Sequence, residues 1–222
     1  MKQFQTLMAR DGHTFSAYLV DPDTRARGAI VIVQEIFGLT QHIRHVADSY
    51  AADGYLTIAP ALFDRVRRDV VLGYSAAEVE QAKGYRLQVP LSKALLDIAA
   101  AAAVVRHAGR VAAIGFCWGG TLTWAAASSV NLAAAVCYYG ARMLEQSPKT
   151  PTCPTQLHFG ERDTGIPMSE VQQLRDAYPQ GEYYLYPALH AFANEERPDC
   201  YDAPSAALAR TRTNAFLAKH VG

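Results

Sequence analysis

Long apolar runs are missing from this chain. The longest, around Ile98 to Val105, is alanine-rich and too short to span a bilayer, so no membrane segment is expected. Residues Met1 to Asp11 carry charges and contain no apolar stretch of the kind a secretory signal needs. Net charge is missing as well: 21 Lys plus Arg balance 21 Asp plus Glu, with no basic stripe and no acidic tail, which argues against a nucleic-acid partner. Cysteine is scarce. Cys117, Cys137, Cys153 and Cys200 form no CxxC pair and have no His-x-x-x-His companion, so no metal site is expected. A chain of 222 residues with a full core does not need disulfides. Repeats, low-complexity segments, linkers, heptads and long apolar edges are all absent. The expectation is one domain over residues 1–222, monomeric, cytoplasmic, with a small molecule as its partner.

What is present is apolar and well patterned. Half the residues are hydrophobic, enough for a large core. Phe4 to Met8 and Phe15 to Val20 read as two strands joined at Asp11-Gly12, a hairpin signal. The β-branched run Gly28 to Val33 reads as a buried parallel strand. A helix over 41–52 follows, with Ile43, Val46, Ala47, Tyr50 and Ala51 on one face. Tyr55 to Ala59 is a strand stopped by Pro60. Residues 61–90 are less regular and read as an insertion walling a pocket, with Ser75 and Glu78 spaced as a capping box. Leu91 to His107 reads as a helix with Leu91, Leu95, Ile98, Ala102 and Val105 inward. Strands are expected from Val111 and over 133–139, 155–159 and 182–186, with helices over 118–129, from Pro167, and over 204–219. Cys137 falls in an apolar strand and reads as core. Two strands followed by alternating strand and helix describe an α/β fold: one mostly parallel sheet flanked by helices on both faces.

The chemistry gathers at Gly115-Phe-Cys-Trp-Gly-Gly120. An apolar strand breaks, presents Cys117 and restarts as a helix, the G-x-C-x-G form of a nucleophile elbow. In such sheets functional groups collect past the carboxyl ends of the strands. Of seven histidines, only His190 follows a late strand on a loop, and Asp163 follows the strand before it. The order Cys117, Asp163, His190 is the nucleophile, acid, histidine order of α/β-hydrolases. The thiolate of Cys117 would attack an acyl carbon to give a thioester. His190 would take the thiol proton and later activate water, and Asp163 would orient His190. The backbone N–H groups of Trp118 and Ile36 are the expected oxyanion donors. Phe37, Trp118, Tyr138, Tyr139 and Phe192 would make an aromatic pocket, with Tyr138 the one more readily placed in the core.

These stretches, together with Asp11-Gly-His-Thr-Phe15, Gln34-Glu-Ile-Phe-Gly38, Tyr138-Tyr-Gly140, Gly160-Glu-Arg-Asp163 and His190-Ala-Phe192, resemble the dienelactone hydrolase (carboxymethylenebutenolidase) family along essentially the whole chain. The resemblance implies an α/β-hydrolase fold, a cofactor-independent hydrolase of small carboxylic esters or lactones, and a Cys117–His190–Asp163 triad. It also implies a role for Glu35, whose counterpart contacts the nucleophilic thiol and takes its proton when substrate binding moves it. The family binds a substrate carboxylate with two arginines. This chain has Asn194 at one of those positions and Val79 at the other, so a weakened or replaced clamp is expected, with Arg86, Lys83 or Arg197 as substitutes. Phe37, Tyr139, Arg86, Phe192 and Asn194 are the candidate substrate contacts. A second reading stays open, a small-molecule binder on the same fold that performs no hydrolysis.

Overall fold

The computed structural model describes residues 1–222. The chain runs β1 (Lys2–Met8), β2 (Thr14–Val20), β3 (Ala29–Val33), α1 (Gln41–Ala52), β4 (Leu56–Pro60), α2 (Ala76–Gln88) and α3 (Leu91–Val105). It continues through β5 (Val111–Phe116), α4 (Trp118–Ala126), β6 (Ala134–Tyr138), α5 (Met143–Gln146), β7 (Thr155–Gly160), α6 (Met168–Ala177), β8 (Glu182–Tyr186) and α7 (Ala203–His220). One eight-stranded sheet has the order β1-β2-β4-β3-β5-β6-β7-β8. Only the β1–β2 and β2–β4 pairs are antiparallel; the rest are parallel. The central strands β3, β4, β5, β6 and β7 are buried at every residue, the signature of a parallel sheet covered on both faces. The sequence reading of the strands, and of the helices over 41–52 and from Pro167, matches this architecture. The one short helix it missed, α5, is a single turn. No single helix is long and apolar enough to cross a membrane.

Register decides which loops meet. Val33 pairs with Gly115, so Gln34-Glu35-Ile36 emerges beside Phe116-Cys117. Phe116 pairs with Tyr138, which sets Tyr139 on the other side of the elbow. Gly160 pairs with Tyr186, so the turn carrying Asp163 and the loop carrying His190 leave the sheet together.

Helix α3 differs from its expected face. Ile98, Ala102 and Val105 are buried, but Leu91 and Leu95 are only partly so, and Ala94, Asp97 and Ala101 occupy the inner positions. The physical reason is an ion pair. Arg65, in a 3₁₀ turn over Leu62–Arg65, gives Nε to Asp97 Oδ2 at 2.7 Å and Nη2 to Asp97 Oδ1 at 2.6 Å. A bidentate pair of this kind draws the carboxylate inward, and the alanines on either side let the helix approach closely.

Residues 70–75 form a strap. Gly38 and Val71 make an isolated antiparallel bridge, and Leu72 N–H donates to Phe37 O at 2.9 Å. The expected capping box at Ser75 is present, and its Glu78 also accepts from Gly73 N–H at 2.8 Å, tying the strap to α2.

Behind the sheet's carboxyl edge lies a buried aromatic stack: Phe116 on Tyr138 at 4.7 Å and Tyr138 on His158 at 4.5 Å between ring centroids. His158 is fully buried and its Nδ1 meets the Tyr186 hydroxyl at 2.7 Å. Burial, reinforced by the nearby Arg212, lowers its proton affinity to about 3. The unfolded chain therefore binds a proton near pH 6.5 that the folded chain refuses. This contribution to stability is complete above about pH 6.5 and is lost as pH falls toward 3, with a slope of about 1.4 kcal/mol per pH unit for one proton. Urea titrations at pH 7, 6, 5 and 4 are expected to give a falling free energy of unfolding, and His158→Gln is expected to flatten the dependence. An equal slope in both proteins would assign the acid sensitivity elsewhere.

Candidate active site

The elbow is built by close approach of backbone to backbone. A methyl group at Gly119 would lie 2.2 Å from the Val33 carbonyl oxygen, and one at Gly115 would lie 2.0 Å from that of Gly119. Neither contact is tolerable, so these two positions admit only glycine if α4 is to sit directly against β3 and β5. Cys117 between them has φ 55° and ψ −120°, a conformation costing an L residue about 1–3 kcal/mol. The surroundings hold it there. Its N–H donates to Tyr138 O at 3.0 Å, and its carbonyl accepts from Gly120 N–H at 2.9 Å. The side chain is left partly exposed at the head of α4. The other cysteines are also free thiols, and Cys137 is fully buried in β6.

His190 follows β8, and its Nδ1 lies 2.6 Å from Asp163 Oδ2. The carboxylate is 1% exposed and the imidazole 31% exposed. Asp163 is itself fixed in its turn, its Oδ1 accepting from Gly165 N–H at 2.8 Å. Burial works against a charged His190. The Cys117 sulfur and the hydrogen-bonded Asp163 outweigh it and raise the ring to about 10. The structure thus brings Cys117, His190 and Asp163 together, from the ends of three different strands.

The N–H groups of Ile36 and Trp118 donate to no protein acceptor. They stand at the two loops that the β3–β5 register places side by side. Glu35 is 1% exposed. Its Oε2 accepts from Asn194 Nδ2 at 2.8 Å, so in this state the carboxylate is hydrogen-bonded to the amide and not to the thiol.

The candidate substrate contacts fare differently. Tyr139, fully buried, lies 5.1 Å from His190 between ring centroids, and its hydroxyl has no partner. Phe37 packs edge-on against Tyr74 at 4.8 Å, and Trp118 stacks on Phe63 at 5.4 Å. Phe192 is fully buried between Tyr139 and Tyr186, so it is core behind the site and not an open wall. Tyr138 is core too, its hydroxyl 2.8 Å from that of Thr213. Arg86 is half-buried on α2, and its side chain takes part in no hydrogen bond or ion pair. Asn194 is fully buried: its Nδ2 serves Glu35 and, at 3.1 Å, the Tyr74 hydroxyl, and its Oδ1 accepts from Glu196 N–H at 3.0 Å. Its amide is committed to protein groups, which corrects its reading as a substrate contact. Arg197 lies over the Tyr74 ring at 5.4 Å and pairs with Asp199 at 3.0 Å. Tyr74 and the ion pair of buried His42 with exposed Glu195 (2.7 Å) escaped the sequence reading. His42 sits on the inner face of an amphipathic helix, a signal that was present in the periodicity. Nothing local marks Tyr74.

A cleft of about 310 Å³ between α1 and α7, lined by Tyr50, Phe116, Tyr138 and Arg210 among others, includes none of the triad.

Known proteins resemble this chain along most of its length. The model of the dienelactone hydrolase family matches residues 15–221. The carboxymethylenebutenolidase of Pseudomonas putida is 30% identical over 225 residues, covering 96% of this chain and 94% of its own. A Yersinia pestis protein provisionally named carboxymethylenebutenolidase is 35% identical, covering 91% and 82%. Among solved structures, a Klebsiella pneumoniae protein provisionally named dienelactone hydrolase superposes with a TM-score of 0.84 at 30% identity, covering 98% of this chain and 99% of that one. The sheet order, the cysteine elbow at its centre and a family match over nearly every residue lead to one assignment: an α/β-hydrolase fold in a chain that belongs to the dienelactone hydrolase family.

Proposed function

We propose that this carboxylic ester or lactone hydrolase works through a thioester on Cys117 and accepts small, uncharged or weakly charged esters and lactones. The observation that carries the reading is the Asp163–His190 pair at 2.6 Å, raised toward its protonated form by the Cys117 sulfur. The thiol proton passes to His190, with Glu35, on the family's pattern, a second acceptor. The sulfur attacks the carbonyl carbon, and the carbonyl π pair moves to oxygen, where the N–H groups of Ile36 and Trp118 receive the charge. When the oxyanion collapses, the C–O bond to the leaving alcohol breaks and imidazolium returns the proton to that oxygen. Acylation removes the thiolate that had favoured the charged ring, so His190 becomes free to deprotonate water for the attack on the thioester. The second oxyanion collapses, the C–S bond breaks, the acid leaves, and the sulfur takes back the proton that His190 removed from water, so no oxidant or cofactor is consumed. Asp163 keeps the ring in the tautomer that faces the sulfur throughout.

The preference for uncharged substrates rests on the cations. Arg197 is engaged by Asp199 and the Tyr74 ring, and Asn194 stands where the family has an arginine. The test is acyl trapping. Mixing the enzyme with p-nitrophenyl acetate and quenching in acid within milliseconds is expected to leave one acetyl group, mapped by peptide mass to Cys117. Turnover without any acyl group on Cys117 would sink the mechanism. Binding without turnover across an ester and lactone panel would favour the non-hydrolytic alternative.

A further inference from the structure

We propose that Asn194, steadied by Tyr74, is the positioning residue for Glu35: it holds the carboxylate by an uncharged donor and ties it to two other loops. This rests on the thiol mechanism above and concerns which group governs Glu35 within it.

The geometry is specific. Glu35 leaves β3, Asn194 belongs to the loop after His190, and Tyr74 comes from the strap over Phe37-Gly38. The Asn194 amide bridges Glu35 Oε2 at 2.8 Å and the Tyr74 hydroxyl at 3.1 Å. Tyr74 in turn donates to Glu196 Oε2 at 3.2 Å, and its ring packs on Phe37, the neighbour of the oxyanion donor Ile36. With Asn194 fully buried and Glu35 1% exposed, water does not compete for these bonds. A carboxylate in such a place needs a partner, since a buried charge with no donor is strongly disfavoured. The amide supplies it without cancelling the charge, so the carboxylate keeps its capacity to accept a proton.

The other charged and titratable groups facing Glu35 stand further off. His42 of α1 is ion-paired with Glu195 at 2.7 Å, and its proton affinity is raised, against its burial, by Glu195 and then by Glu35. Tyr139 comes from the end of β6, its acidity suppressed by burial and then by Glu35 and Cys117. The loop after β8 brings Glu195, Glu196 and Arg197, and the elbow brings Cys117 and His190. None of them gives Glu35 a hydrogen bond.

The experiment is a double-mutant cycle on Asn194→Asp and Glu35→Gln, read by the pH dependence of Cys117 alkylation with iodoacetamide and of kcat/KM for p-nitrophenyl acetate. Circular dichroism checks the fold of each protein. Two carboxylates within hydrogen-bond distance share a proton, so Asn194→Asp is expected to move the apparent pKa of alkylation and the acidic limb of kcat/KM by about one pH unit or more, tenfold in protonation. In the Glu35→Gln background most of that shift is expected to disappear. Tyr74→Phe, which keeps the ring on Phe37, is expected to lower kcat/KM several-fold only where Glu35 is present. Equal shifts in both backgrounds, or none in either, would overturn the assignment. Failure of the underlying mechanism looks different: Cys117→Ala would then turn over esters like the unaltered protein, whatever the cycle gives.

Discussion

Replacing Cys117 by alanine is expected to lower kcat for p-nitrophenyl acetate by about three orders of magnitude or more, as removal of a nucleophile does where acyl transfer is covalent. The residual rate comes from the oxyanion donors and from binding, which the substitution leaves in place. The variant is expected to fold. Alanine at φ 55° bears the same backbone strain as cysteine, and the two hydrogen bonds fixing the elbow involve only the backbone of residue 117. Thermal unfolding is therefore expected to shift by a few degrees at most, which separates loss of chemistry from loss of structure. Cys117→Ser isolates the sulfur. A hydroxyl stays protonated where a thiol ionises, so the largest influence raising His190 toward about 10 is lost, and the ring is expected to titrate lower in that variant, measurable by NMR. Full activity in Cys117→Ala would end the thioester mechanism.

The largest effect on stability is expected away from the site. Asp97→Ala leaves Arg65, only 9% exposed, without its buried partner. Removing one member of a buried pair costs about 3–5 kcal/mol. For a chain of this length that amounts to a fall in Tm of about 10 °C. The Arg65–Asp11 contact at 3.1 Å survives but is partly exposed, and recovers little of the loss. The pair is not itself a large source of stability. Burial raises the proton affinity of Asp97 more than Arg65 lowers it, which marks the charge as costly where it lies. The double replacement Arg65→Met with Asp97→Leu is therefore expected to recover most of the lost Tm. A single Asp97→Ala variant melting within two or three degrees of the parent, on the same scale of a few degrees per kcal/mol, would show that the pair holds nothing in place.

The two cases differ in how far they could be read from sequence. The elbow announces itself. Gly115, Cys117, Gly119 and the apolar run before them are contiguous, and a strand that must turn within one residue into a helix requires small neighbours. Asp163 and His190 were found by their positions after late strands, because a parallel sheet sends each functional loop to the same edge. Helix α3 is the opposite case. Its apolar residues outnumber those one face can hold, so periodicity alone chose Leu91 and Leu95, and the Arg65 contact to Asp97 turned the helix.

The aromatic residues teach the same distinction. Alternation predicts that Tyr138 and Tyr139 point apart, yet both rings approach Phe116 and Phe192, because Tyr139 leaves β6 with a positive φ. That Phe192 is core and Tyr139 lies against His190 depends on which loop packs over which.

By itself the sequence determined the alternation of strand and helix, the cysteine elbow at the centre of the sheet, and the order of the proposed nucleophile, acid and base. These are local properties: side-chain period, turn sterics and position after a strand. Tertiary structure decided what surrounds that cysteine. Glu35 meets Asn194 across 159 residues of chain, and Asn194 meets Tyr74 across 120. No periodicity encodes such partners. They are selected because a carboxylate removed from water must find a donor among whatever groups the neighbouring strand ends deliver, and the strand register alone sets which groups those are.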